Sequence, residues 1–270
     1  MCCERLPDVS VIMGVRYLRS DVKPLRRAVE SILAQTYEDF EFLICDDGSI
    51  YEASSYLDSI AAKDDRIRIV RGCKPTDLAS KLNFCLAAAR GSSIARMDDD
   101  DYSHPDRLEK QLLFLNMHPD TAFAGCCVSL IQGGIPFGTR RFPEQPCVED
   151  FYFSQPYIHP ALMFRREALE RVGGYSEHPD CLLCEDYDLL LRLYQAGFTG
   201  ANLQEILLDY TIPVDPKGNR RMKHRINEVK TRYHRFRDLG RLPGALPYVI
   251  KPIVVGLIPK PLLAKLKHKH

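Results

Sequence analysis

The sequence predicts an α/β fold: a mostly parallel sheet flanked by helices, then a mixed second half and a basic C-terminal extension. Short apolar runs alternate with helical stripes from Val9 to Met97. Acid-rich or polar segments follow several of those runs, and no internal repeat is visible. A series of this βαβαβαβ kind needs crossovers between parallel strands, and the helices supply them while covering the sheet.

Each element has its own signal. Val9 to Val15 is a short β-branched apolar run, read as a buried strand. Val22, Leu25, Val29, Ile32 and Leu33 form a helical stripe within Val22 to Ala34. Phe40 to Cys45 predicts the second strand, with the turn Asp46-Asp47-Gly48-Ser49 at its end. Tyr51 to Ala62 and Leu78 to Ala89 read as helices, Ile67 to Val70 and Ile94 to Met97 as strands. The run Asp98-Asp99-Asp100-Asp101 follows at once.

The second half is less regular. Pro105 to Asn116 predicts a helix opened by an early proline. Ala122 to Ile131 predicts a strand, and Gly133-Gly134, Pro136, Pro143 and Pro146 mark loops. Ala161 to Phe164 is a short strand, and Arg166 to Arg171 a helix ended by Gly173-Gly174. Cys184 to Gln195 predicts a helix stopped by Gly197, and Glu205 to Ile212 a strand. Arg220 to Arg237 is a basic helix, and Pro243 to His270 mixes proline, apolar residues and lysine. Prolines at 247, 252, 259 and 261 argue against one continuous helix there.

Composition narrows the class. A chain of 270 residues can bury a full core, as one large domain or a domain with an appendage. It has no run of about 18 apolar residues, so no transmembrane helix is expected. Met1 to Asp8 lacks an apolar h-region, so no signal peptide is expected and the catalytic part belongs in the cytoplasm. The ten cysteines are then expected as reduced thiols. Cys181-x-x-Cys184 has no companion CxxC, which favours buried thiols over zinc.

The net charge of +1 conceals an asymmetry. Lys217 to His270 holds 15 lysines and arginines against 2 acids, leaving 22 against 34 in the remainder. An acidic body with a basic tail points to an anionic surface, lipid or nucleic acid, as the tail's partner.

Ligands of open α/β sheets sit beyond the carboxyl ends of the strands. Gly14 to Tyr17, Asp46 to Ser49 and Asp98 to Asp101 all fall there and are expected to converge on one crevice. The spacing i, i+2 lets Asp98 and Asp100 serve one site. Carboxylates beside a nucleotide diphosphate repel it unless a divalent cation lies between them, and hard oxygen ligands select Mg²⁺ or Mn²⁺. A solvated loop is the plain alternative for such a run, and a simple turn for Asp46 to Ser49. Glu185, Asp186 and Asp188 open a helix, where the macrodipole favours carboxylates. A carboxylate there could also take the proton of an attacking hydroxyl.

Together these segments resemble the family 2 glycosyltransferases, which have the GT-A fold. Val9 to Met13, Ala28 to Tyr37 and Phe40 to Ser49 are similar to the N-terminal half of that family. Ile94 to Asp101, with Pro105 to Glu109, resembles its metal-binding DxD segment. His159-Pro160, Gly173-Gly174-Tyr175 and Glu185 to Leu189 resemble its acceptor half. The resemblance implies a catalytic domain over residues 1–212, with a nucleotide-sugar-binding half at about 8–101 and an acceptor half at 102–212. A basic helix and amphipathic tail follow at 213–270.

The resemblance also implies roles. Asp47 would bind the nucleoside; Asp98 would touch the ribose or the metal, with Asp99 beside it; Asp100 would bind Mn²⁺ or Mg²⁺; Asp186 would be the catalytic base of an inverting displacement. Val15 and Arg16 depart from the family's usual loop, and Arg16 is expected to stack on the base or approach the diphosphate. His159, Glu185, Arg220 and Arg221 are candidates for acceptor or diphosphate contacts. The partners implied are a nucleotide sugar, UDP-linked on family grounds, and a saccharide or lipid-linked acceptor. A lipid-linked acceptor makes the tail's expected partner an anionic membrane surface, met peripherally from the cytoplasm, with no nucleic acid involved.

Two other readings stay open at this point. A sugar-phosphate nucleotidyltransferase would use a metal on a similar sheet, but Met13 to Asp21 lacks its Gly-rich phosphate loop and lysine. A non-catalytic binding protein of the same fold would have no need of intact acidic sites.

Overall fold

The computed structural model describes residues 6–71, 77–213 and 222–257. Strands β1 (Val9–Val15), β2 (Phe40–Asp46), β3 (Ile67–Val70) and β4 (Ser93–Arg96) alternate with helices α1 (Lys23–Leu33), α2 (Tyr51–Ala61) and α3 (Leu78–Ala88). β1 runs parallel to β2 and β4, and β2 parallel to β3. The expected parallel half is therefore present.

The second half contains β5 (Tyr102–Ser103), α4 (Arg107–Met117), β6 (Thr121–Gln132), β7 (Ile135–Arg140), β8 (Met163–Arg165), α5 (Arg166–Arg171), α6 (Glu185–Gln195) and β9 (Thr199–Ile212). β8 lies antiparallel to both β4 and β6, and so joins the two halves into one nine-stranded sheet ordered β3-β2-β1-β4-β8-β6-β9-β5, with β7 on β6. β6 and β9 run parallel.

Apolar cores lie on both faces. Val11, Met13, Phe42 and Ile44 point to one, with Leu25 and Val29 of α1. Ile12 and Leu43 point to the other, with Leu82 of α3 and Leu189 of α6. Successive strand residues face opposite sides of a sheet, so a strand covered on both must be apolar throughout. That is why β1 and β2 read as continuous runs.

Several boundaries differ from the sequence reading. The loop expected at Gly133-Gly134 and Pro136 is a hairpin: both glycines have positive φ, as a tight two-residue turn requires, and β7 returns along β6 as an exposed edge. β9 begins at Thr199, six residues before the expected Glu205, because pairing with β6 extends it. The proline-led start of α4 is a turn, and the helix begins at Arg107. β5 carries no apolar run and exists through its pairing with β9.

The C-terminal region departs further. Helix α7 (Met222–Asp238) is followed by α8 (Leu242–Leu257), which is continuous through Pro247 and Pro252. The expectation that prolines break this segment is corrected for these residues. Ala245, Val249 and Pro252 form a buried stripe, and Tyr248 stacks on Tyr152 at 5.5 Å. Tertiary packing of one face outweighs the proline penalty. This stretch packs on the rest of the fold, and the remaining tail, 258–270, lies outside the described residues. No helix among the described residues is long and apolar enough to cross a membrane.

One polar network locks the parallel half. Ser10 Oγ donates to Glu41 Oε1 at 2.8 Å and accepts the Gly91 N–H at 2.8 Å. Arg68 and the Arg90 N–H also donate to Glu41. Burial works to raise the Glu41 pKa, but these hydrogen bonds outweigh it and hold the carboxyl below its usual range. A Cβ on Gly91 would lie 2.6 Å from the Ser10 backbone nitrogen. Gly91→Ala is therefore expected to destabilise the protein by about 1–3 kcal/mol, read as a lowered urea midpoint with an unchanged slope.

Candidate functional site

The carboxyl ends of β1, β2 and β4 lie side by side, since Val15 pairs with Asp46 and Ile12 with Arg96. The Asp47 N–H donates to the Val15 carbonyl at 3.0 Å, and the Tyr17 N–H to Ser49 Oγ at 2.9 Å. The first two loops are thus bound to each other. Val15 is buried, Arg16 exposed and Asp47 partly exposed at this edge. Arg19 lies close enough to lower the pKa values of Asp99 and Asp100, which places the first loop beside the acidic run.

The acidic run is held from beneath. Arg96 is fully buried, donates to Asp98 Oδ1 at 2.5 Å and also bonds the Met97 carbonyl. Arg107, equally buried, donates to the Arg96 carbonyl at 3.0 Å and the Pro160 carbonyl at 2.9 Å. Asp101 Oδ1 accepts the Thr211 N–H at 2.7 Å, and Thr211 Oγ1 donates to the Asp100 carbonyl at 2.6 Å. β4, α4 and β9 therefore hold the end of the strand and, within the run, Asp98, Asp100 and Asp101.

Their charges are poorly balanced. Burial, then repulsion by Asp98 and Asp100, pushes the Asp99 carboxyl up to about 7. Burial and Asp98 raise Asp100, and they raise Asp101 further. Asp101 is solvent-free and tied to Thr211, so it serves the turn.

Asp98 lines a cleft of about 790 Å³ together with His159, Glu185, Asp186 and Tyr210. Asp186 Oδ2 accepts a hydrogen bond from Gln155 Nε2 at 3.1 Å, and Oδ1 accepts the Tyr187 N–H at 2.8 Å. Leu183, with φ of 65°, turns the chain into α6 just before these carboxylates. Left-handed backbone at a non-glycine residue is strained, and such strain clusters at functional sites. Glu185 is buried; desolvation, then Asp186, pushes its carboxyl up to about 7.

His159 is also buried, with Nε2 2.9 Å from the Tyr175 hydroxyl. Burial, then Arg96, holds its pKa well below the usual range, so the imidazole is neutral. Tyr210 feels the charges of both Asp98 and Asp186, and with burial leading it is pushed up to about 12.

The structure thus brings Asp98, His159, Glu185 and Asp186 to one cleft, while Val15, Arg16 and Asp47 lie at the adjoining strand ends. Arg220 and Arg221 lie outside the described residues. The sequence reading missed Gln155, Arg140, Tyr210 and Arg232 as cleft residues. Gln155 sits in an irregular segment with no local pattern, and Tyr210 looks like any strand residue. Arg225 belongs to the basic cluster after β9 that could bring a cation to the diphosphate, with a solvated basic helix as the plain alternative, and it lines the cleft; Lys251, read as a lysine of the tail, lines it as well. Cys181 and Cys184 are both buried.

The raised Glu185 carboxyl has a sign that can be measured. The unfolded chain releases this proton near the ordinary value, the folded chain near 7. Folding stability therefore falls as pH rises between those values, by up to about 3 kcal/mol. Glu185→Gln is expected to remove this component, so that its stability relative to wild type rises between about pH 5 and about pH 8 in urea titrations. An unchanged difference between the two pH values would contradict it.

Comparison with known proteins fits this geometry. Residues 14–173 match the family model described as "Glycosyl transferase family 2". A protein named as a glycosyltransferase, EpsE of Bacillus subtilis (strain 168), is 32% identical over 97% of this chain and 94% of its own. "O-antigen biosynthesis glycosyltransferase WbnJ" of Escherichia coli is 34% identical over 77% and 80%. "UDP-Gal:alpha-D-GlcNAc-diphosphoundecaprenol beta-1,3-galactosyltransferase" of Escherichia coli is 28% identical over 86% and 84%. Among solved structures, a mannosyltransferase of Pyrobaculum calidifontis in complex with GDP-Man and Mn²⁺ superposes with a TM-score of 0.66 at 17% identity, covering 98% of this chain and 80% of that one. That likeness establishes the shared GT-A fold. With the family match spanning more than half of its length, the chain belongs to glycosyl transferase family 2 and is a glycosyltransferase.

Proposed function

We propose that this enzyme transfers a sugar, with inversion, from a nucleotide-diphosphate sugar to a hydroxyl of a saccharide or lipid-linked saccharide in cell-surface glycan assembly. The observation that carries this reading is the presence of Asp98 and Asp186 in one cleft. The carboxylate that follows β4 and the one that opens α6 line the same cleft, as a donor anchor and a base of a single displacement would. UDP is the donor nucleotide on this reading, in keeping with the relative named for UDP-Gal. The acceptor assignment draws support from that relative's diphosphoundecaprenol substrate and from WbnJ's place in O-antigen synthesis.

In this proposal Asp47 binds the nucleoside at the end of β2, with Val15 and Arg16 beside it. Asp98 and Asp99 meet the ribose and diphosphate. Asp186 takes the proton of the acceptor hydroxyl, with Gln155 holding one of its oxygens. Glu185 and His159 are the acceptor-side neighbours. No covalent sugar intermediate is needed.

The residues fit a divalent cation. Among the described residues no group of three or more His, Cys, Asp or Glu forms a metal site by itself. The donor set is instead Asp98 and Asp100, oxygen ligands suited to Mn²⁺ or Mg²⁺, with positions left for phosphate oxygens and water. The mutual repulsion of the aspartates is the charge deficit that such an ion would relieve. When bound, it would neutralise charge on the leaving nucleoside diphosphate.

The working place on this reading is the cytoplasm, peripheral to the inner face of the membrane. It is supported by the apolar and basic composition of Pro243 to His270, much of which packs on the body. Flotation with anionic liposomes tests it, since removal of 258–270 should reduce binding.

Incubation with a panel of nucleotide sugars, Mn²⁺ and saccharide acceptors is expected to release nucleoside diphosphate and form an inverted linkage, read by NMR. A retained anomeric configuration would refute the mechanism. Asp186→Asn is expected to lower kcat by about 100-fold or more, with donor affinity by calorimetry nearly unchanged. Asp100→Ala is expected to weaken Mn²⁺-dependent donor binding by roughly tenfold or more. Full activity of Asp186→Asn would remove the base assignment.

A further inference from the structure

The cleft is lined by charges of both signs. Asp98, Glu185 and Asp186 supply the carboxylates. Arg225, Arg232 and Lys251, from α7 and α8, supply a basic stretch of wall. None of these three belongs to the segments on which the family reading rests.

The basic wall is incompletely neutralised. Arg232 bonds Glu228 at 3.1 Å and the Tyr152 carbonyl at 3.0 Å, with its guanidinium 4.6 Å from the Tyr187 ring centre. Arg225 donates to the Pro252 carbonyl at 3.0 Å, and Lys251 to the Phe153 carbonyl at 2.7 Å. Neither Arg225 nor Lys251 forms an ion pair with another described residue. Three cations thus face one carboxylate, Glu228, on this wall. Burial, then repulsion by Arg232, lowers the Lys251 pKa, with Glu228 opposing. Carbonyls hold Arg225 and Lys251 in place without cancelling their charge, so an entering anion gains the attraction of these two, while Arg232 is partly balanced by Glu228.

The same wall has an apolar margin. Phe153, Pro252 and Val255 line it, and Lys251 Nζ lies 3.1 Å from the Phe153 ring centre. On the outer face of α8, Leu246, Ile250, Val254 and Leu257 form a stripe, each at least half exposed. The helix that supplies Lys251 to the cleft thus also carries exposed hydrocarbon.

We propose that Arg225, Arg232 and Lys251 form a phosphoryl subsite that binds a phosphate or diphosphate ester at the reducing end of the acceptor saccharide. The proposal rests on the glycosyl-transfer reading for the identity of the cleft. It adds that the acceptor is anionic and that the C-terminal helices select it. Held there by its phosphoryl group, the acceptor extends its sugar hydroxyls towards Asp186. The ester's other substituent, a lipid chain where one is present, follows the apolar margin.

Calorimetry on the full chain tests this without turnover. EDTA is included to suppress metal-dependent nucleotide binding. The probes are farnesyl diphosphate, N-acetylglucosamine 1-phosphate and, as the uncharged control, farnesol. Wild type is expected to bind at least one phosphorylated probe. Lys251→Gln and Arg225→Gln should each raise its Kd roughly tenfold or more. Lys251→Arg should retain binding, and farnesol should be indifferent to all three. Thermal unfolding identifies any variant that fails to fold, in which case the remaining variant decides.

Preference for farnesyl diphosphate would support a lipid-linked acceptor, and preference for the sugar phosphate a soluble one; both support the subsite. Equal affinity of folded variants and wild type would overturn it, as would failure of both phosphorylated probes to bind. Nucleoside diphosphate release by wild type is measured alongside. Release without any charge effect rejects the subsite alone, whereas no release with any donor rejects the underlying reading.

Discussion

Two arginines without solvent access, Arg96 and Arg107, sit under the edge of the sheet from which the acidic run departs. A buried guanidinium is costly unless its donors and charge are met, and removing one partner of such a pair costs about 3–5 kcal/mol. Arg96 meets its charge with Asp98. Arg107 donates to the Arg96 and Pro160 carbonyls and to Met97 Sδ, and burial lowers its pKa to about 10. Arg107 thereby joins the end of β4 to the His159-Pro160 segment. Gln111 repeats the device one helical turn later, with its amide on the Ala124 and Ala161 carbonyls at 2.8 Å.

This underlayer governs the electrostatics above it. Arg96 keeps His159 neutral, alongside burial, and supplies the counter-charge of Asp98. Burial first, and then repulsion by Asp98, raises the other three aspartates. Thr211 then ties the run to the end of β9 through the Asp101 carboxylate and the Asp100 carbonyl. A segment that would repel itself in solution is held in one arrangement by neutral hydrogen bonds and one buried cation.

The C-terminal helices complete the cleft. α7 sends Arg232 over the Tyr187 ring, and Arg235 bonds Asp188, whose other oxygen holds Arg192. The helix that begins with Glu185 and Asp186 is therefore gripped from behind by the basic extension. Part of the charge asymmetry seen in composition is spent on fastening the extension to the body, and part lines the cleft with cations.

The sequence by itself determined the parallel half and the family. Strands buried on both faces must be apolar throughout, so β1 and β2 were legible, and the polar segments at their ends marked the sheet edge. Strand ends and a helix start made the carboxylates at 47, 98, 100, 185 and 186 legible as site candidates, and only the family resemblance singled out Asp186 among those at the helix start. Short-range pattern did not disclose β5, the β7 hairpin or the continuity of α8 through two prolines. β5 and the continuity of α8 exist because of partners distant in the chain, β9 and the stacked Tyr152, while β7 exists because the Gly133-Gly134 turn returns it along β6. Nor could it tell that Gln155 would reach Asp186 or that Lys251 would line the same cleft, since residues in irregular or amphipathic segments acquire a direction only when the elements pack. Only the tertiary structure decided which charges meet, because burial and neighbours across the fold, not spacing along the chain, set the energy of each one.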